Sequence, residues 1–130
     1  MVYTWEFGKQ FAIEFAKYPR DQQDKILDFI ETYQKFGLVD FTKFQGKVRP
    51  SWSGIDKLDP VYDFTYSNNL WHYHVGLPKY INSRYNNYLT SDMILHFQWK
   101  SSSKHIKILD ITWHYKPTGE FWLPTETYLK

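Results

Sequence analysis

The stretch Leu70-Trp-His-Tyr-His-Val-Gly-Leu77 decides how this chain is read. Its residues alternate, and on a β-strand residues two apart point to the same face. His72 and His74 therefore lie side by side, while Trp71, Tyr73 and Val75 occupy the opposite side. An aromatic face of that kind needs a cover, and the segments upstream offer one. In Arg20–Phe36 the apolar positions Ile26, Phe29, Ile30, Tyr33 and Phe36 recur at helical spacing. Asp21 and Asp24 suit the positive end of that helix, and Gly37 suits its C-terminal stop. Lys9–Tyr18 puts Phe11, Ala12, Phe15 and Ala16 on one stripe, and Pro19 separates the two helices. Before them, Tyr3, Trp5 and Phe7 alternate as a short opening strand that ends at Gly8.

Downstream of the helices the period changes. Leu38–Leu58 contains F-Q-G-K-V-R-P-S-W-S-G, whose Gly46, Pro50 and Gly54 predict a loop. Val61–Tyr66 alternates and predicts a strand with Tyr62, Phe64 and Tyr66 on one face. Met93, Leu95, Phe97 and Trp99 alternate again. In His105–His114 strict alternation places Ile106, Ile108, Asp110, Thr112 and His114 against Leu109, Ile111 and Trp113. Ser101–Lys104 predicts a hairpin connection, and Gly119 and Pro124 predict an irregular tail. Together these patterns predict a single α+β domain over residues 1–130. A short N-terminal strand and a helical hairpin pack on a curved, mostly antiparallel β-sheet, leaving its other face to water or a partner.

Composition narrows the function classes. Of 130 residues 42% are hydrophobic and 21% aromatic, which excludes a disordered chain. The absence of cysteine excludes a disulfide, a thiol nucleophile and a cysteine zinc site, and fits a reducing cytoplasm, the expected location. The start M-V-Y-T-W-E-F-G-K-Q has no basic and apolar leader pattern, and no apolar run approaches the roughly 18 residues of a membrane span. No membrane partner is expected. Residues 1–67 carry nine Lys/Arg against ten Asp/Glu, whereas residues 68–130 carry seven against four and all five histidines. The second half is the side suited to an anionic partner.

With the large apolar residues turned toward the helices, His72, His74, His96, Asp110 and His114 share the open face. Lys79, Arg84, Lys100, Lys104 and Lys116 stand near its rim. Two chemistries suit such a face. His-x-His on a strand is a metal-ligand spacing, with a third ligand available from His96, His114 or Asp110. The glutamate of a cupin pattern is missing after His74, however, and no H-E-x-x-H is present. Cleavage of RNA by its own 2′-hydroxyl needs no metal and no cofactor. It needs a base, an acid and cations for the phosphorane charge, roles open to histidine, lysine and arginine. Tyr73, Tyr85 or Tyr115 can hold a base in place. The chain has no phosphate-binding glycine loop and no G-x-S-x-G elbow, and Asp56 and Asp59 read as turn residues.

The order of elements, with L-W-H-Y-H-V at Leu70–Val75, L-T-S-D-M-I-L-H-F at Leu89–Phe97, I-L-D-I-T-W-H-Y-K-P at Ile108–Pro117 and the F-Q-G-K segment, resembles the RelE/ParE superfamily of bacterial type II toxins. Within it the chain is most similar to YafO-type mRNA interferases. The resemblance implies a RelE-like fold and a ribosome-dependent endoribonuclease that cuts mRNA in the ribosomal A site and is silenced by a cognate antitoxin. Its implied catalytic positions fall on His72, His74, His96, His114 and Tyr115, with Lys116 beside them. Histidines stand where RelE-like toxins carry an arginine on the second of these strands. Two alternatives remain at this point: a ParE-like inhibitor of DNA gyrase without nuclease activity, and a metal-binding domain built on the His-x-His strand.

Overall fold

A computed structural model describes residues 2–77, 81–82, 89–90 and 93–130. The chain runs β1 (Thr4–Phe7), α1 (Lys9–Phe15), α2 (Arg20–Phe36), a 3-10 turn (Phe41–Lys43), β2 (Val48–Pro50), α3 (Pro60–Ser67) and β3 (Leu70–His74). It continues with β4 (Ile81–Asn82), β5 (Leu89–Thr90), β6 (Met93–Gln98), β7 (His105–Trp113) and α4 (Glu126–Leu129). The main sheet has the order β1-β7-β6-β3-β2, with β1 parallel to β7 and every other pair antiparallel. β4 and β5 form a separate two-stranded pair. The class is α+β, as periodicity predicts.

The helical hairpin covers the face predicted for it. α2 buries Ile26, Phe29, Ile30 and Tyr33 in one cluster with Trp71, Tyr73, Leu95, Phe97, Ile106 and Ile108 of the sheet. Phe29 sits at the centre, with ring centroids 4.9 Å from Tyr73, 5.3 Å from Phe97 and 5.4 Å from Phe44. The Tyr33 hydroxyl reaches the carbonyls of Thr4 (2.9 Å) and Lys104 (2.8 Å), which ties α2 to the parallel β1–β7 edge. Gly37 closes α2 at φ +65°, and a side chain there would run into the ring of Tyr3.

Four local expectations are corrected. Val61–Tyr66 is helix, not strand. Asp59 caps α3 by accepting from the Val61 N–H at 2.9 Å, Pro60 fills the first turn, and Tyr62 stacks on Tyr66 one turn later at 5.8 Å. The same tyrosines satisfy both periods, and the cap decides between them. Part of the expected loop is β2, an edge strand that tolerates Pro50 at its end. In β7 the register shifts between His96↔Asp110 and Phe97↔Ile108, so Leu109 is an extra residue. Ile106 and Ile108 therefore join Ile111 beneath the helices, leaving Asp110, Thr112 and His114 on the other side. Finally, that other side is not left open. His72, His74 and His96 are all buried, because the C-terminal segment folds back over them. Among the described residues no helix is long and apolar enough to cross a membrane.

Candidate active site

Two strand ends bring three imidazoles together. Alternation in β3 keeps His72 and His74 on one face, with ring centroids 5.5 Å apart. His114 follows the last residue of β7 and turns across that face, 5.4 Å from His72 and 5.3 Å from His74. One nitrogen from each ring lies within 4.8 Å of the others. The neighbour of His72 in the sheet is His96 on β6, whose Nε2 is 2.8 Å from Thr112 Oγ1. Thr112 already donates its hydroxyl hydrogen to the Trp113 carbonyl at 2.8 Å, so His96 donates from Nε2.

The segment after His114 forms the lid of the site. The Tyr115↔Phe121 bridge and the bonds Lys116 N–H to Glu120 O (2.7 Å) and Trp122 N–H to His114 O (3.0 Å) make a small hairpin. Gly119, at φ +90°, supplies its turn. The hairpin lays Phe121 against His72 (5.3 Å) and His114 (4.9 Å), while Tyr115 packs on His114 at 4.2 Å. Next to it opens a cleft of about 560 Å³, lined by Arg49, Ser53, Asp59, His72, His114, Tyr115, Glu120 and Phe121. Arg49 is the register partner of His72 across β2–β3, and its Nε donates to Ser53 Oγ at 2.8 Å. Buried Ser51 shares a 3.0 Å hydrogen bond with His72 Nδ1, which fixes the orientation of that ring.

Burial dominates the electrostatics. It holds His72 well below the usual imidazole range, and repulsion from His74, His96, His114 and Arg49 adds to the effect. His96 is pushed down to about 3, first by burial and then by His114. Both rings are neutral at pH 7.

Of the residues expected to act, His72, His74 and His114 converge, and Tyr115 stands beside them at the cleft. His96 shares the face but has no exposed surface. Lys116 is exposed in the hairpin turn. Lys100 and Lys104 belong to the β6–β7 turn, at the opposite end of β7 from His114. The nine residues of β7 separate Lys104 from His114 by roughly 30 Å, so neither lysine rims the cluster. Lys79, Arg84 and Tyr85 lie outside the described residues. Arg49, Ser51 and Glu120 were not among the expected residues. Arg49 was hidden because its segment reads as a loop until β2 pairs with β3.

Asp110 leaves the cluster for a second groove, which it lines with Glu14, Tyr18 and Tyr128. Burial raises its carboxyl to about 7 against the Ile111 N–H bond at 2.9 Å, with Glu14 adding repulsion. A carboxyl raised above its unfolded value stabilises the fold below pH ~4, and that contribution is lost as pH rises toward 7. Asp110→Asn keeps an acceptor for Ile111 and removes the titration. Urea unfolding across pH 4–8 should show the parent losing stability relative to D110N, with about 4 kcal/mol as the ceiling. Parallel pH profiles would refute the assignment.

Fold and site together define a small α+β domain with a histidine cluster, buried at His72 and His74 and half-buried at His114, beside an arginine-bearing cleft. No protein-family model, no curated protein and no solved structure matches the chain.

Proposed function

We propose that the protein is a RelE-like mRNA endoribonuclease, the toxin of a type II pair that acts on ribosome-bound message. The supporting observation is the convergence of His72, His74 and His114 beside Arg49 and the exposed ring of Tyr115. In the proposed reaction the RNA 2′-oxygen attacks the adjacent phosphorus and the bond to the 5′-oxygen breaks. The products are a 2′,3′-cyclic phosphate and a 5′-hydroxyl. His72, neutral and oriented by Ser51, takes the 2′-hydroxyl proton. His114 protonates the leaving oxygen. His74 lies behind them and completes the imidazole cluster. Arg49 offers its guanidinium to the phosphorane oxygens, as arginine does wherever phosphate needs a forked donor. Tyr115 presents a ring on which a splayed base can stack, and Lys116 is placed for a flanking phosphate. Sealed His96 supports the cluster without touching RNA.

Inducing the chain in bacteria and mapping transcript ends by primer extension tests this. Discrete cuts within translated messages, carrying 5′-hydroxyl ends and formed in the presence of a chelator, are expected. Intact messages with DNA-damage signalling would instead favour the gyrase-directed mode of ParE-like toxins.

A further inference from the structure

The three imidazoles have a second chemistry that acid–base catalysis does not use. We infer that His72, His74 and His114 form a binding site for a zinc-class divalent ion. One nitrogen from each ring lies within 4.8 Å of the others. An ion bound at 2.0–2.1 Å from tetrahedral nitrogens needs them roughly 3.3 Å apart. The widest pair must therefore close by about 1.5 Å, a movement within reach of small side-chain rotations and of the short hairpin that follows His114.

Ligand type selects the ion. Three imidazoles without a carboxylate among them suit zinc, copper or nickel rather than calcium or magnesium. His72 also has the support that metal-binding histidines commonly show. Its Nδ1 bonds to buried Ser51, so Nε2 is the nitrogen offered to the ion. His72 and His114 line the cleft, so the fourth coordination position opens toward it beside Arg49 and Glu120. Water or an anion can enter there, the arrangement of zinc sites with three protein ligands.

The ion and the proposed proton transfers use the same nitrogen lone pairs. Zinc therefore suppresses RNA cleavage, a consequence that rests on the ribonuclease reading. The binding itself does not.

The test uses the untagged full chain, titrated with zinc by calorimetry and with cobalt(II) by absorption. One equivalent should bind, with visible cobalt bands of a nitrogen-ligated, low-coordinate site and no thiolate charge-transfer band. Cobalt absorption of the parent chain needs no variant and so is independent of folding defects. His74→Gln and His114→Ala should each weaken binding by at least about 100-fold, because even supporting residues are worth 10–100-fold at such sites. His105→Ala, at an exposed histidine bonded to Thr4, should leave it unchanged. No saturable binding at 100 μM metal, taken as roughly a million-fold weaker than structural zinc sites, or equal binding by H114A, would overturn the site. Stoichiometric metal in a chain that cuts no RNA with or without it would leave the site standing and remove the ribonuclease. Cleavage that continues unchanged in the zinc-loaded chain would leave the site standing and take these three imidazoles out of the proton transfers.

Discussion

His114→Ala should lower the rate of RNA cleavage by about 100- to 10,000-fold, the range that one positioned acid or base contributes. Growth arrest on induction should disappear with it. His114 lies after β7, outside the helix-facing core, and its ring meets Tyr115 and Phe121 rather than the hydrophobic cluster. Its loss therefore separates chemistry from folding, and the urea midpoint should fall only slightly. His72→Ala is the less clean variant. It removes a buried ring and strands the hydroxyl of Ser51, which costs about 1–3 kcal/mol of stability in addition to any catalytic loss. The comparison is made with purified chains on a synthetic ribosome–message complex, with His105→Ala as the control. Undiminished cleavage and toxicity in H114A would dispose of the proton-transfer role.

Phe97→Ala should cost about 3–5 kcal/mol, among the largest stability effects expected from a single truncation. A typical domain has only about 5–15 kcal/mol in total. Phe97 is fully buried on β6, the strand between β3 and β7, and its ring faces Phe29 at 5.3 Å. Phe29 is itself held by Tyr73 and Phe44, so it cannot move into the space without giving up those contacts. The cavity therefore stays largely open, and its cost is added to the lost transfer energy. Urea unfolding read by far-UV circular dichroism gives the number. A loss below about 1 kcal/mol would mean that the layer between α2 and the sheet is not the core, since buried aromatics truncated to alanine normally cost several times more. Phe36→Ala, at a ring 43% exposed, is the contrast and should cost much less.

The histidine cluster itself was partly legible. Alternation in Leu70–His74 correctly separates the His72 and His74 face from Trp71 and Tyr73, and His114 does join them. The cations were not legible. Lys100 and Lys104 look near the cluster in sequence but are carried away by the full length of β7. Arg49 looks remote but is delivered by a three-residue edge strand directly opposite His72. Nothing in K-V-R-P predicts that partner, because pairing between strands is set by contacts across more than twenty residues.

Local rules settled what depends on near neighbours: α1, of whose expected stripe Phe11 is the buried member, α2 with Ile26, Phe29, Ile30 and Tyr33 buried, the Gly37 stop, the opening strand, and the alternating faces of β3 and β6. These follow from side chains three, four or two positions apart, which share a face whatever the rest of the chain does. Contacts between distant segments decided the remainder. The extra residue at Leu109 reversed one half of β7, the Asp59 cap turned an alternating segment into α3, and the C-terminal hairpin closed over the histidines, with burial holding His72 and His96 below the usual imidazole range. Burial and register are properties of the assembled sheet, so no window of sequence contains them.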